Sequence, residues 1–352
     1  MKAPIPIALM GLGWVGTHRH AAAIARSPNF RLVGVIDRNA ERARLMGKKL
    51  NVQHVSHVDR IPDVPWLQEA AAITIATPPH LHCELAIDAL SRGLHVLTEK
   101  PFAMQRHEGE MMARCARDAG KILGVTHNFQ FSRSAQCLAR DMDLGRLGRL
   151  SRIHAVQLSN PRRRLPSWYE TLPAGLFYDE SPHLLYLIRR FAPGPLELAQ
   201  ATVLPSRHGT RTPSLVQARY RCAGPEGTFP VTLDMHFEAP LSEWHLIVHG
   251  EEAMGVIDIF RDIYLRLPND GLHVTTTVLR SSLLATTQHW LQHFTSGVQH
   301  LLGKLDYGNN EIYRRFADAI RTGRSAIGMD PEAALAVLNM QHDILEQGST
   351  AR

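Results

Sequence analysis

The sequence predicts an α/β chain: a doubly wound parallel sheet first, then an α+β part in which antiparallel strands dominate. Three observations carry this. Short apolar runs alternate with helical stretches from Ile5 to Thr126. Most of these runs end at a glycine, a carboxylate, a Thr-Pro-Pro turn or a Glu-Lys-Pro turn. Beyond His127, runs that alternate apolar and polar residues take over. Strands alternating with helices imply a parallel sheet wrapped on both faces, and a period of two implies a sheet with one covered face.

The first run, Ile7 to Met10, reads as a strand buried on both faces. It meets Gly11, Gly13 and Gly16 in G-x-G-x-x-G spacing, and Val15 through Ala25 reads on as a helix. In a dinucleotide site the first glycine permits the tight turn. The second lets the backbone approach a pyrophosphate, and the third lets helix and strand pack closely. The diphosphate would sit on unpaired N–H groups at the positive end of the helix dipole, so Trp14 and Val15 belong to the same candidate site.

Arg31 to Ile36 forms the second strand and ends in Asp37. That carboxylate lies about twenty residues past the glycines, where an adenosine ribose diol is bound in such folds. Capping of the helix Ala40 to Leu50 is the competing reading, and the spacing favours the cofactor. Arg38 beside it suits either an adenine face or a 2′-phosphate. NAD is preferred and NADP stays open.

Ala71 to Ala76 is the third strand, running into Thr77-Pro78-Pro79. A helix from His80 to Arg92 carries Leu81, Leu85, Ile87 and Leu90 as its apolar positions and closes at Gly93. Strand Leu94 to Leu97 meets Thr98-Glu99-Lys100-Pro101; helix Gln105 to Ala119 stops at Gly120; strand Lys121 to Thr126 follows. Gly11, Asp37, Thr77 and Lys100 all fall at carboxyl ends of strands, where parallel sheets bind ligands.

The order G-L-G-W-V-G, then T-P-P-H-L-H, then E-K-P resembles the glucose–fructose oxidoreductase / inositol dehydrogenase / rhizopine-catabolism (Gfo/Idh/MocA) family. The resemblance implies a Rossmann dinucleotide-binding domain over residues 1–127. Residues 128–352 then form an α+β domain with a large, mainly antiparallel open sheet that binds substrate and pairs subunits. Closing helices from Glu311 onward are able to pack back on the first domain. It also implies that Lys100 lies beside the nicotinamide and the reacting carbon, and that Thr77, Pro78, His82 and Glu99 shape the nucleotide site. By itself Lys100 reads as a solvated lysine at a strand end; the other motifs together favour the cofactor-side reading. His80 and His82 lack a third metal ligand in the sequence.

His127-Asn128-Phe129-Gln130-Phe131 carries the chain into the second domain, with Gln130 where family members often have arginine. A helix around Ala135 to Met142 precedes strand candidates Ser151 to Ser159, Leu198 to Val203, Leu215 to Arg221, Phe229 to Phe237, Trp244 to Val248 and Gly255 to Phe260. The stretch A-G-L-F-Y-D-E-S-P-H-L-L-Y-L-I resembles the family block G-G-x-x-x-D-x-G-x-H-x-x-D, aligning Asp179 and His183 with its aspartate and histidine. Four residues apart, they share one helical face. His183 is the expected general base in oxidation or acid in reduction, because imidazole titrates near neutrality. Lys100 is expected to steady the developing alkoxide or carbonyl oxygen. Asp179 either orients the substrate or His183, or caps a helix from Ser181 to Phe191.

The block departs from the family at Ser181, followed by Pro182, and at Tyr186, where an acid is usual. Tyr169 follows Trp168 where arginine is common. The expected substrate wall therefore comprises Asn128, Gln130, Arg163, Trp168 and Tyr169. Arg162-Arg163-Arg164 reads first as a solvated loop, with a substrate carboxylate or phosphate facing it as the alternative.

Net charge is +6 over 352 residues, but the basic residues are dispersed, and nucleic-acid binding is not expected. No run of about 18 apolar residues suggests a membrane span, and Met1-Lys2-Ala3-Pro4 enters the first strand without a signal-peptide pattern. Cys83, Cys115, Cys137 and Cys222 lie far apart and read as reduced thiols of a cytoplasmic protein. Leu283 to Leu305 reads as a helix; its His289, His293 and His300 lack the glutamate of a zinc helix, so no metal is expected.

Together these features predict an NAD(P)-dependent oxidoreductase moving hydride between nicotinamide and a secondary alcohol or ketone of a sugar, cyclitol or related molecule. It is expected to be a homodimer or homotetramer built through the second sheet. An NAD-dependent redox-assisted glycoside hydrolase and a non-catalytic NAD(P)-binding sensor are the alternatives.

Overall fold

The structure is a computed structural model that describes residues 3–350 except 164, 166, 226 and 303, with backbone alone at 167, 349 and 350. Met1, Lys2 and Arg164 lie outside the described residues. The chain forms two compact units, Met1–Asn128 with Gly308–Asn339, and Phe129–Tyr307 with Met340–Arg352.

The first unit holds a six-stranded parallel sheet of β1 (Ile5–Met10), β2 (Phe30–Ile36), β3 (His54–Ser56), β4 (Ala72–Ile75), β5 (His95–Thr98) and β6 (Leu123–Val125). The strand order is β3-β2-β1-β4-β5-β6, with every pair parallel. The winding reverses between β1 and β4, which leaves a crevice at their carboxyl ends. Helices cover both faces, which is why Ile7, Ala8, Leu9 and Met10 are all buried. They are α1 (Ala21–Arg26), α2 (Ala40–Leu50), α3 (His82–Ser91) and α4 (Arg106–Asp118). Leu9, Leu12, Ala21, Val35 and Ala43 form one core cluster between sheet and helices. The helix after the glycine turn opens with a wider π-type turn, Gly16–His20, before α1.

The second unit contains α5 (Arg133–Asp143), α6 (Leu176–Phe191), α7 (Thr275–Gln292) and the short α8 (Val298–Leu301). Its strands are β7 (Leu150–Leu158), β8 (Leu196–Leu204), β9 (Leu215–Gly224), β10 (Gly227–His236), β11 (Glu243–Gly250), β12 (Ala253–Asp258) and β13 (Ile263–Pro268). They lie in the order β13-β12-β11-β7-β10-β9-β8. Only the β7–β10 pair is parallel among the described pairings. Strand β9 alternates buried Val216, Ala218, Tyr220 and Cys222 with exposed Gln217, Arg219 and Arg221, the pattern of a sheet covered on one side.

The edge strand β13 is closed by side chains. Gln292 Oε1 accepts from Tyr264 N–H at 2.9 Å while its Nε2 donates to Tyr264 O at 2.6 Å. Gln288 pairs with Arg266 in the same way, at 3.0 and 3.1 Å. Two glutamines four apart on α7 thus satisfy alternate residues of the edge, which would otherwise invite another strand.

The chain continues through α9 (Asn309–Thr322) in the first unit, and the boundary between units falls within the last helix, α10 (Pro331–Thr350). In α9, Tyr313 and Phe316 are buried against Phe30, with ring centroids 5.6 and 5.9 Å away. Among the described residues, no helix is long and apolar enough to cross a membrane.

Several expectations are corrected. Strands β3 and β13 were not anticipated. The long C-terminal helix starts earlier, at Thr275, and is interrupted by a π-type turn, His293–Gly297. Helix α6 begins at Leu176 with Gly175 (φ 53°) as its N-cap, so Asp179 stands in the first turn and is not the cap. Pro182 therefore lies inside the helix, where its ring cannot bond to Tyr178 O. That carbonyl instead accepts from Gln341 Nε2 at 2.8 Å, and the same amide donates to Ser181 Oγ at 2.9 Å.

Candidate functional site

The glycine turn sits at the switch point of the first unit. At Gly11 (φ 90°) an added Cβ would lie 2.5 Å from Ala76 O, and at Gly16 it would lie 1.9 Å from Gly11 O. Side chains are excluded there by the protein's own backbone. At Gly13 nothing lies within 4 Å of an added Cβ. The protein thus leaves the space over the second glycine open, which fits a ligand whose phosphates approach the backbone. Trp14 and Val15 are exposed beside it. The Trp14 ring stacks on His18 with centroids 5.3 Å apart, and Arg19 places its guanidinium 5.0 Å from the indole centroid.

Asp37, at the end of β2, is buried. Its Oδ2 accepts from Leu12 N–H and its Oδ1 from Asn39 N–H, both at 2.8 Å. Asn39 is the N-cap of α2, accepting from Arg42 N–H, so the capping reading of Asp37 is set aside. The carboxylate instead ties the glycine turn to the β2 end and keeps lone pairs for a further donor. Arg38 is exposed, and Arg42 Nη1 approaches Asp37 Oδ2 at 3.4 Å.

Thr77 and Pro78 follow β4, half-buried, and Thr77 Oγ1 is buried without a partner among the described residues. Fully buried His82 crosslinks this loop to the next, its Nε2 2.9 Å from Thr77 O and its Nδ1 2.8 Å from Pro101 O. Burial lowers the His82 pKa against the opposing pull of those carbonyls. The Lys100–Pro101 peptide is cis.

Glu99 anchors the strand end that presents Lys100. Its Oε2 accepts from Lys100 N–H at 3.0 Å and its Oε1 lies 2.8 Å from His20 Nε2. His20 Nδ1 is 2.9 Å from Tyr313 Oη, which is 3.0 Å from Thr74 Oγ1. Burial pushes the Glu99 carboxyl up, but the His20 bond and charge, with Lys100, outweigh it and hold the pKa below the usual value. His20 and Tyr313 were not singled out in the sequence. They stand 293 positions apart, and no local motif joins them.

In the second unit, α6 places Asp179, His183 and Tyr186 along one face. His183 is half-buried, with ring centroids 4.6 Å from Phe129 and 5.6 Å from Trp244. Its Nδ1 lies 2.8 Å from Tyr186 Oη, which also accepts from Phe129 N–H at 3.0 Å. Gln130 is buried, whereas Trp168 and Tyr169 are half-buried on a 3-10 turn, Ser167–Thr171. Burial, then the charge of Glu170, raises the Tyr169 pKa.

Arg163 is not a solvated loop residue: its Nη2 is bonded to buried Glu180, which also accepts from Gln157 Nε2. Arg163 Nε is buried without a partner among the described residues. Arg162 is exposed. Asn128 belongs to the first unit and Gln130, Arg163, Trp168 and Tyr169 to the second. Among the described residues, no group of three or more His, Cys, Asp or Glu is placed to hold a metal ion.

Residues 5–127 match the profile of an oxidoreductase family described by its NAD-binding Rossmann fold (GFO_IDH_MocA). The chain is 37% identical over 125 residues to scyllo-inositol 2-dehydrogenase (NADP(+)) IolU of Bacillus subtilis (strain 168), covering 34% of this chain and 35% of that protein. It is 27% identical over 167 residues to D-glucoside 3-dehydrogenase of Escherichia coli (strain K12), covering 47% and 46%. The chain spans between 32% and 53% of the length of such curated relatives. An oxidoreductase from Agrobacterium radiobacter, solved with NAD+, L-tartaric acid and magnesium, superposes with a TM-score of 0.78. At 14% identity, over 99% of this chain and 97% of that one, this likeness shows the fold. Over residues 5–127 the chain is thus similar to an oxidoreductase family with an NAD-binding Rossmann fold.

Proposed function

We propose that the protein is an NAD(P)-dependent oxidoreductase that moves hydride between nicotinamide and a secondary alcohol or ketone of a sugar, cyclitol or related small molecule. The observation that carries this is the glycine turn, closed by backbone at Gly11 and Gly16 and open over Gly13. In this reading Gly11, Gly13, Trp14, Val15, Gly16, Asp37, Arg38, Thr77, Pro78, His82, Glu99 and Lys100 hold the cofactor. The unpaired Thr77 hydroxyl supports it, since a buried polar atom is rarely left without a partner. Asp37 favours the free ribose diol of NAD, and exposed Arg38 keeps a 2′-phosphate open.

The nicotinamide, when bound, supplies the hydride acceptor or donor. In oxidation the carbinol carbon gives up hydride, the hydroxyl proton passes to His183, and the C–O bond becomes a carbonyl. Lys100 steadies the oxygen as charge develops, and Asp179 orients substrate or imidazole. Reduction runs the same steps backwards. Asn128, Gln130, Arg163, Trp168 and Tyr169 are the proposed substrate contacts. A cyclitol or sugar is supported by relatives named for inositol and glucoside dehydrogenation. The four free cysteines suit a reducing cytoplasm, and the uncovered face of the second sheet suits pairing into homodimers or homotetramers.

Fluorescence titration with NADH and NADPH, then a panel of sugars, uronates, cyclitols and keto acids, tests this. Binding of one cofactor and its net turnover on a panel member is expected. Absence of binding to both cofactors overturns the proposal. Sugar release without accumulated NADH replaces it with the redox-assisted hydrolase, and binding without turnover on any substrate favours the sensor.

A further inference from the structure

We infer that the outward face of α7, continued by α8, is an interface between two copies of this chain. A helix on a globular protein turns its apolar stripe inward and its polar side to water. In α7 this is inverted. Its inward side carries Gln288 and Gln292, which bond to edge strand β13. In the turn that follows, Ser296 Oγ on the same side donates to Asp262 O at 3.2 Å. Leu279, Leu283, Trp290 and Phe294 recur at intervals of four, seven and four residues, which makes one stripe on the opposite side. Leu291 flanks the stripe, and Leu301 lies beyond it on α8. These six residues are 59–87% exposed, and no residue of α7 is buried. The Trp290 and Phe294 rings meet edge to face, centroids 4.8 Å apart.

The size of the face calls for a cover. At about 200 Å² for a residue of this kind, the six leave on the order of 700 Å² to water. A monomer's largest apolar patch is about 300–600 Å², and one partner of a stable complex contributes about 800 Å². The chemistry of the face selects the occupant. From Thr275 to Leu302 there is one Lys or Arg, Arg280, and no Asp or Glu. A charged partner finds no counter-charges there, and a helix built for a membrane surface carries a Lys- and Arg-rich polar side. An identical face needs neither. About a two-fold axis the two stripes meet antiparallel, apolar on apolar, with no row of like charges. The stripe belongs to a helix and not to the open sheet, so pairing at both places gives a tetramer of two-fold contacts.

Sedimentation velocity and light scattering of the full chain over a range of concentrations test this. One variant combines Trp290→Asp with Phe294→Asp; a second is Thr287→Glu. Thr287 is exposed, four residues after Leu283 and three before Trp290, and its substitution leaves every apolar side chain in place. Wild type is expected to be an oligomer, and both variants should have half its mass with an unchanged circular dichroism spectrum. If the double variant loses its fold, Thr287→Glu decides. A monomeric wild type, or equal masses for wild type and Thr287→Glu, overturns the inference. Flotation of wild type with phosphatidylcholine–phosphatidylglycerol vesicles, lost in the double variant at unchanged mass, replaces the second copy with a membrane surface. The inference does not rest on the proposed reaction: mass is read without cofactor or substrate. Its failure leaves that reaction standing, and failure of the cofactor titration leaves the interface standing.

Discussion

His20 Nε2 lies 2.8 Å from Glu99 Oε1, so a histidine from the helix behind the glycine turn holds the carboxylate that precedes Lys100. The His20 side chain is fully buried, and its other nitrogen reaches Tyr313. The network ties the glycine helix, the β5 end and α9 together inside the first unit. Replacing His20 with leucine removes a side-chain donor to a largely buried carboxylate, 12% exposed. We expect His20→Leu to lower stability by about 3 kcal/mol, within the range for breaking one side of a buried pair. Urea unfolding at neutral pH measures this, and an unchanged midpoint contradicts it. Glu99→Gln in the same background should recover part of the loss, because it removes the stranded charge.

His95 gives a pH dependence with a definite sign. Its Nδ1 accepts from Ile122 N–H at 3.0 Å, which requires the neutral ring. Burial, then the charge of Lys121, lowers its pKa to about 4. The folded pKa is below the unfolded value, so this stabilisation is complete above the unfolded pKa and is lost as pH falls towards the folded one. Partial exposure screens the effect, leaving about 1–2 kcal/mol. Wild type should therefore lose stability between about pH 6.5 and pH 4, and His95→Gln should lose less over the same interval. Parallel pH slopes in denaturant titrations would rule this out.

The glycines separate fold from binding. Gly13→Ala adds a methyl where nothing lies within 4 Å, so its stability should match wild type within about 0.5 kcal/mol. Its dinucleotide affinity should fall at least about tenfold, about 1.4 kcal/mol. Gly16→Ala drives a methyl against Gly11 O and should destabilise the fold itself. Thermal melts and NADH fluorescence on both variants decide the matter; equal behaviour would refute the distinction.

Lys100→Met keeps the side-chain length and removes the ammonium. Under the proposed reaction it should cut turnover by at least about a hundredfold, as for loss of one oxyanion donor, while cofactor affinity changes little. Wild-type rates on the substrate found by the panel would remove Lys100 from the chemistry.

Much of the first unit was legible because strands buried on both faces read as unbroken apolar runs, as Ile7 to Met10 does. Strand β3 was not, because in His54-Val55-Ser56 only the serine is buried. Strand β13 was hidden because it alternates poorly and ends in Pro268. The start of α6 was misplaced because Asp179-Glu180-Ser181-Pro182 looks like a capping sequence with proline at the first turn. Among the candidate site residues, the strand-end set could be read from spacing. His20 and Tyr313 could not, since their meeting depends on tertiary packing across 293 positions.

Pro182 and Gln341 form a lock and key within the second unit. The proline withholds a donor from Tyr178 O, and the glutamine supplies it from elsewhere in the chain. Neither residue can drift alone: an amide restored at 182 competes with Gln341 for the same oxygen, and an apolar residue at 341 withdraws that donor. Change at the helix bearing Asp179 and His183 is thereby coupled to a position about 160 residues away. In descendants of this sequence, the two sites should be exchanged together or kept together.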